Sequence, residues 1–390
     1  MNWIISELFY PDEVSTAQIM TDIALHKVID KQVSVICGPI GYENSYLSQK
    51  KLDKRFNIYR IGLPKLNKNK LFQRVLRLLL LTIKMSWVTL IKVKKNDSVF
   101  ITTNPTFLII GLSIIKRIKG FYLEILVHDV FPENLVPAGL IKKESFKYKL
   151  LSKIYNSSYR KADRIIVLGK DMEHLIQQKI APKIIGIDII PNWYDDDIYP
   201  DTNFNISKYL GINLEDKIVI GFAGNLGRVQ GILEFIDLVG CSKNKKIALV
   251  IIGDGALRAA VKDKIKNEQL QNVHYLGPKG RGEQNSFLNA CHIGLVTLIN
   301  GMKGLGVPSK TYNLMAAGKP LLFIGDHYSE IDNYVREYDC GWSFTWDNEI
   351  EIISLLNNLS LEVLPQIIEK GLRSRIASEN FKKVNVLNLF

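Results

Sequence analysis

A chain of 390 residues with 47% hydrophobic and 23% charged residues is too long for one ordinary core and too apolar for disorder, so composition points to a folded protein of two domains. Four widely spaced cysteines, without a CxxC or Cys/His pairing, suggest neither a disulfide framework nor a zinc site and fit a reducing cytoplasm. The net charge of +12 resides in the first half, where residues 1–195 carry 30 Lys and Arg against 17 Asp and Glu, an excess that attracts anionic surfaces, lipid or nucleic acid alike.

The opening run MNWIISELFYP carries Glu7 and has neither a basic leader nor a small-residue cleavage site, so it reads as a first strand. From there, short β-branched runs alternate with helical periodicity, the rhythm of βα units and parallel sheets. Strands are predicted at residues 3–6, 33–38, 56–61, 98–102, 122–127, 164–168 and 187–190. The second half repeats the pattern at 218–223, 248–253, 273–276, 293–298 and 320–324. Residues 191–205 are polar and proline-punctuated, which predicts an interdomain linker. Two doubly wound domains facing across a cleft follow: residues 1–195 and 200–364.

Residues 68–95 join basic ends to a Leu-rich, Trp-containing centre. The uncharged runs fall short of the roughly 20 residues that span a bilayer. Two readings stay open, an amphipathic helix lying in a membrane interface and a core-packing helix with a solvated basic face. The pattern favours lipid over nucleic acid as the anionic partner.

In doubly wound sheets ligands collect beyond the carboxyl ends of strands. After the first strand come Tyr10, Glu13, Ser15 and Thr16; the Ser/Thr pair either caps the next helix or meets an acceptor or phosphate. His128 and Asp129 end the strand at 122–127, with Glu133 beyond, and such a pair either hydrogen-bonds a sugar or serves the structure. The second half holds a glycine-rich turn with Gly224, Asn225, Gly227, Arg228 and Gln230, then glycine-marked strand exits at Gly253 and Gly277. Glycines let a diphosphate approach backbone, and Arg228 adds charge. The stretch GLGVPSKTYNLMAAGKPLLFIG, residues 304–325, combines a glycine loop, Pro308-Ser309-Lys310 opening a short helix, and a buried strand, together an anion cradle with a full positive charge at Lys310.

As a set, FYPDEVSTAQ, HDVFPE, IIPNW, GFAGNLGRVQG, VIIGDG, YLGP and VPSKTYNLMAAGKPLL resemble the family 4 retaining glycosyltransferases of the GT-B fold, with two Rossmann-like domains. Within that family the chain looks most like bacterial enzymes of O-antigen, capsule and colanic-acid assembly. Where many members carry two glutamates eight residues apart, this chain has Leu305 and Asn313; an amide replaces the ribose-binding carboxylate. Asn225 and Gln230 stand where many have Arg and Lys, leaving Arg228 and Lys310 to compensate.

The resemblance implies transfer of a sugar, hexosyl or acetamidodeoxyhexosyl, from a nucleotide-diphosphate donor, a UDP-sugar first, to a polyprenyl-diphosphate-linked saccharide. His128, Arg228 and Lys310 are the expected catalytic residues, with His128 near the anomeric carbon. Gly224, Asn225, Gly227, Gln230, Gly253, Gly277, Pro308, Ser309 and Asn313 are expected on the donor, and Tyr10, Glu13, Ser15, Thr16, Asp129 and Glu133 on the acceptor. No DxD or His/carboxylate cluster has convincing ligand spacing, so neither metal nor other cofactor is expected. The first domain is expected to bind acceptor and the anionic inner face of the plasma membrane, with residues from about 365 to 390 packing back on it. Two alternatives remain: a nucleotide-sugar 2-epimerase on the same fold, and a non-catalytic membrane-bound partner of a transferase.

Overall fold

The computed structural model describes residues 1–29, 32–41, 52, 56–64 and 71–390. Thirteen strands are formed among them: β1 (Asn2–Ser6), β2 (Val33–Cys37), β3 (Phe56–Arg60), β4 (Ser98–Thr102), β5 (Tyr122–Val127), β6 (Arg164–Val167), β7 (Gly186–Ile189), β8 (Ile218–Ala223), β9 (Ile247–Ile252), β10 (Val273–Gly277), β11 (Ile293–Thr297), β12 (Leu321–Ile324) and β13 (Gly341–Phe344). The crossovers of the first half hold α1 (Ser15–Lys27), α2 (Leu71–Lys92), α3 (Leu108–Lys119), α4 (Phe146–Tyr159) and α5 (Lys170–Ile180). Then come α6 (Ile206–Leu210), α7 (Ile232–Cys241), α8 (Arg258–Asn267), α9 (Gln284–Asn289), α10 (Lys310–Ala316), α11 (Glu330–Glu337), α12 (Glu349–Asn358), α13 (Leu364–Ser378) and α14 (Lys383–Leu387).

The chain divides into two units. The first comprises Met1–Pro191 with Gly304–Gly306 and Leu387–Phe390, the second Asn192–Lys303 with Val307–Val386. In the first, seven parallel strands run in the order β3-β2-β1-β4-β5-β6-β7; in the second, six run β10-β9-β8-β11-β12-β13. Both orders reverse beside their first strand, at β1/β4 and β8/β11, which opens a crevice at the carboxyl ends of those strands. β1, β2, β9, β11 and β12 are buried almost throughout, the two-sided burial that makes parallel strands read as apolar runs.

Three sequence expectations change. β13 was not predicted: GWSF is short and only partly apolar, and it completes an edge by pairing with β12. Gly341 is required there, since a Cβ would overlap the carbonyl of Leu321. The supposed linker is packed: Asn192, Trp193, Tyr194 and Asp195 are buried within the second unit. Of the C-terminal segment, residues to Val386 group with the second unit, α13 packing on α10, and Leu387–Phe390 with the first.

One core contact makes stability pH-dependent. The Val219 N–H donates to Nδ1 of His292 at 2.9 Å, which only the unprotonated ring can accept. Burial, with Lys319 adding to it, lowers the His292 pKa to about 4. The unfolded ring titrates near about 6.5, so on acidification the unfolded chain takes the proton first. This stability is complete above about 6.5 and is lost as pH falls toward about 4. Denaturant midpoints should therefore fall between pH 7 and pH 5, and His292→Asn should shrink that difference.

Candidate functional site

In the second unit the glycine-rich turn leaves β8 at Gly224, whose φ is +144°. It lies backbone against backbone on the turn after β9. Gly224 N–H donates to Ile252 O (2.9 Å), Leu226 N–H to Asp254 O (2.9 Å) and Leu257 N–H back to Leu226 O (2.9 Å). A Cβ at Gly253 would overlap the Gly224 carbonyl, and one at Gly255 would sit 2.6 Å from the Leu226 carbonyl oxygen. Only glycine allows this approach. Gly277 accepts from Gly253 N–H at 3.0 Å, and Tyr275 donates its hydroxyl to Gly253 O at 2.8 Å.

The far end of the turn is fixed as firmly. Ile299 N–H donates to Val229 O (3.1 Å), the Thr297 hydroxyl to Gln230 O, and Gly231 abuts the Trp346 ring. Trp346 is itself held by donating Nε1–H to Leu298 O at 2.7 Å. Asn225 and Arg228 are left exposed on this scaffold, and Arg228 has no ion-pair partner among the described residues.

Lys310 opens α10 and extends toward the same turn, its Cδ 3.7 Å from where a Cβ on Gly224 would stand. Its Nζ lies 3.6 Å from the centroid of the Phe222 ring, is buried, and has no hydrogen-bond acceptor. Burial lowers its pKa to about 7, while the electron-rich ring face pulls the other way. An ammonium without an acceptor in a dry place is costly, and an anion above the glycine turn would relieve that cost. Pro308 O accepts from Thr311 N–H (3.2 Å), and Ser309 is the N-cap without a side-chain cap bond.

Asn313 does something other than expected. Its Oδ1 accepts from Asp195 N–H (2.8 Å) and its Nδ2 donates to Asp195 Oδ2 (2.9 Å). Asp195 Oδ1 pairs with Arg281 at 2.5 Å. The amide thus anchors the segment entering the second unit instead of standing open for a ribose. An amide suits this place because a glutamate would set one carboxylate against another.

In the first unit, His128 follows β5. Its Nδ1 is 3.0 Å from Thr102 Oγ1, and its backbone N–H, like that of Asp129, donates to Thr103 Oγ1 at 3.1 Å. Nε2 is buried without a partner, and desolvation lowers the ring pKa to about 4. The imidazole is therefore neutral near pH 7, with its Nε2 left without a protein partner. Asp129 is exposed; surrounding protein raises its carboxyl to about 6, an effect that water at its surface reduces. Thr102 and Thr103 were missed from the sequence, although a Thr pair ending an apolar strand was a readable signal.

The 304–325 stretch divides. Leu305 O accepts from Val130 N–H (3.0 Å), Gly304 N–H donates to Asp171 Oδ2 (3.0 Å), and a Cβ on Gly306 would stand 3.1 Å from His128 O. The glycine loop therefore docks beside His128, whereas Lys310 belongs to the second unit.

The acceptor candidates are scattered by comparison. Ser15 and Thr16 do not cap α1: the N-cap is Val14, without a side-chain bond, and Ser15 is exposed one residue inside the helix. Tyr10 is held by backbone contacts, its N–H donating to Thr21 Oγ1 at 3.1 Å and its carbonyl accepting from Arg60. Glu13 is half-buried in the same loop. Glu133 Oε1 pairs with Lys179 (2.5 Å) and accepts from the Tyr148 hydroxyl at 3.4 Å, while Oε2 is buried without a partner. For Asn313, replacement by Glu should destabilise the protein by roughly 1–3 kcal/mol, and Asp195→Asn in the same chain should restore part of the loss in a denaturation double-mutant cycle.

Comparison with known proteins agrees with this geometry. The family described as Glycosyl transferases group 1 matches residues 205–363. The Pseudomonas aeruginosa protein named probable glycosyltransferase WbjE is 36% identical over 332 residues, covering 82% of this chain and 81% of the relative. The Escherichia coli (strain K12) chain named as a colanic acid biosynthesis glycosyl transferase, WcaI, is 19% identical over 243 residues, 61% of this chain and 59% of its own length. Among solved structures, Anabaena Alr3699/HepE in complex with UDP and glucose superposes with a TM-score of 0.72 at 17% identity, covering 100% of this chain and 98% of that one. WaaG, a glycosyltransferase involved in lipopolysaccharide biosynthesis, gives 0.70 at 12%, covering 100% and 99%. With two Rossmann-like sheets, a glycine turn facing an unpartnered lysine, and a relative aligned over most of both chains, the protein belongs to the group 1 glycosyltransferases and has the GT-B fold.

Proposed function

We propose that this glycosyltransferase moves a sugar with retention from a nucleoside-diphosphate donor, a UDP-sugar first, to a lipid-linked saccharide, in the assembly of a bacterial surface polysaccharide. The observation that carries the donor half is the buried Lys310 Nζ, without an acceptor, beside the Gly224 turn. HepE has been solved with UDP and with UDP-glucose, and WbjE and WcaI are named as glycosyl transferases, which favours a transferase over a 2-epimerase or a non-catalytic partner.

In this reading the diphosphate sits on the turn from Gly224 to Gln230, with Gly253 and Gly277 closing the backbone behind it. Lys310 and Arg228 neutralise charge as the anomeric C–O bond to phosphate breaks. The acceptor oxygen attacks from the face the phosphate leaves and bonds to the anomeric carbon. Its proton passes to the departing phosphate oxygen, giving a glycoside and a nucleoside diphosphate. No carboxylate base is needed, and the two cations stand in for a metal. Neutral His128 offers Nε2 to a sugar hydroxyl, with Thr102 and Thr103 fixing the ring. Work on a lipid-linked acceptor places the enzyme at the anionic inner face of the plasma membrane, a reading supported by the basic excess of the first half.

Lys310→Ala should lower transfer at least about a hundredfold, and Lys310→Arg should recover part of it; a fully active alanine variant would refute this placement of the diphosphate. Chelation with EDTA should leave the rate unchanged. Phosphate beside Lys310 raises its pKa from about 7, so UDP binding should take up protons at pH 7–8 and weaken as pH rises. Calorimetry in buffers of different ionisation enthalpy reads this directly, and the uptake should vanish in Lys310→Ala.

A further inference from the structure

Three neighbouring helices of the first unit carry a surface that the donor and acceptor readings do not use. Right-handed crossovers from β3 through β6 place α2, α3 and α4 side by side on one face of the sheet. Gly111 of α3 lies against Ser86 and Thr82 of α2, and Ser113 of α3 hydrogen-bonds Ser158 of α4 at 3.3 Å. Each helix buries one side and leaves apolar residues on the other. On α2, Leu81, Met85 and Thr89 are buried, while Phe72, Ile83 and Trp87 are 78%, 62% and 63% exposed. Ile118 on α3 is 67% exposed, and Phe146 and Leu150 on α4 are 79% and 48% exposed. α2 thus packs on the core, as one of the two readings of residues 68–95 has it, and also presents the apolar stripe on which the other, contact with a membrane interface, would rest; residues 68–70 lie outside the described residues.

The charge on these helices has one sign. α2 carries four Lys or Arg, α3 three and α4 three, and none of them carries Asp or Glu. The next helix in the row, α5, opens instead with Asp171 and Glu173. Arg77 is paired with Glu7 and Lys116 with Asp163, and the exposed Glu144 precedes α4, so the surface is predominantly rather than wholly cationic. An apolar, mainly cationic surface fits the boundary of an anionic bilayer, where apolar side chains enter the acyl region and Lys and Arg remain among the phosphates. Among the described residues no helix is long and apolar enough to cross a membrane, so contact of this kind lies along the surface.

We propose that α2, α3 and α4 form one docking platform for an anionic lipid bilayer, with Ile118, Phe146 and Leu150 inserting alongside Phe72, Ile83 and Trp87. This rests on the membrane-surface reading above and adds which face makes the contact. The test compares co-sedimentation of the full chain with vesicles of phosphatidylglycerol and phosphatidylethanolamine, and with phosphatidylcholine alone. Two variants change only exposed positions, Ile83→Glu/Trp87→Glu on α2 and Ile118→Glu/Phe146→Glu/Leu150→Glu on α3 and α4, with circular dichroism checking the fold. Wild type should bind the anionic vesicles, brominated lipid should quench Trp87, and each variant should lose about tenfold or more in partitioning. If only the α2 variant loses binding, the membrane reading survives and the platform does not. If wild type ignores anionic vesicles, both fail. If wild type dimerises without lipid and the variants are monomers, the face belongs to a second copy.

Discussion

The second unit depends on a contact between two main chains. The Gly224 carbonyl occupies the space a side chain at Gly253 would need, and the ladder from Gly224, Leu226 and Leu257 to the neighbouring turn follows from that approach. With both turns so close, the glycine turn after β8 is rigid, its far end pinned by Thr297, Ile299 and Trp346. Under the proposed donor reading, rigidity here has electrostatic value, because amides fixed before a ligand arrives need no reorganisation when charge develops. Lys310 Nζ lies beside the same turn, buried without an acceptor, and that burial lowers its pKa to about 7.

The departures from the usual family pattern become physically consistent once the neighbours are known. Asn313 replaces a glutamate because its partner is Asp195, itself paired with Arg281. An amide can both accept from the Asp195 N–H and donate to the Asp195 carboxylate, which a carboxylate cannot. At Leu305 the side chain is buried and the main chain carries the contact, accepting from Val130. In the first unit, His128 is oriented by two threonines at the end of β4, and desolvation holds it neutral.

Much of this was legible in the sequence. Buried parallel strands are apolar runs whatever their neighbours, so twelve of the thirteen strands could be placed by reading along the chain. Only β13, short and partly exposed at a sheet edge, carried too weak a signal. Glycine turns after strands mark places where backbone must come close, which is why Gly224, Gly253 and Gly277 could be named beforehand. The ion pair of Glu133 and the failure of Ser15 to cap α1 were not legible for a shared reason: their types are compatible with binding or capping, and what they do depends on Lys179 in the one case and on where the helix starts in the other.

The sequence by itself determined the two-sheet α/β architecture, the position of each glycine turn and the basic bias of the first half, because periodicity, φ preference and charge are properties of the local chain. Tertiary structure alone decided that Asn313 is spent on Asp195, 118 residues away, that the 304–325 stretch is shared between units, that Lys310 lacks an acceptor, and that three cationic helices turn apolar stripes outward. Each of these depends on which groups are brought within hydrogen-bond or van der Waals range by packing, and a hydrogen bond or a buried charge is defined by its partner as much as by its own residue.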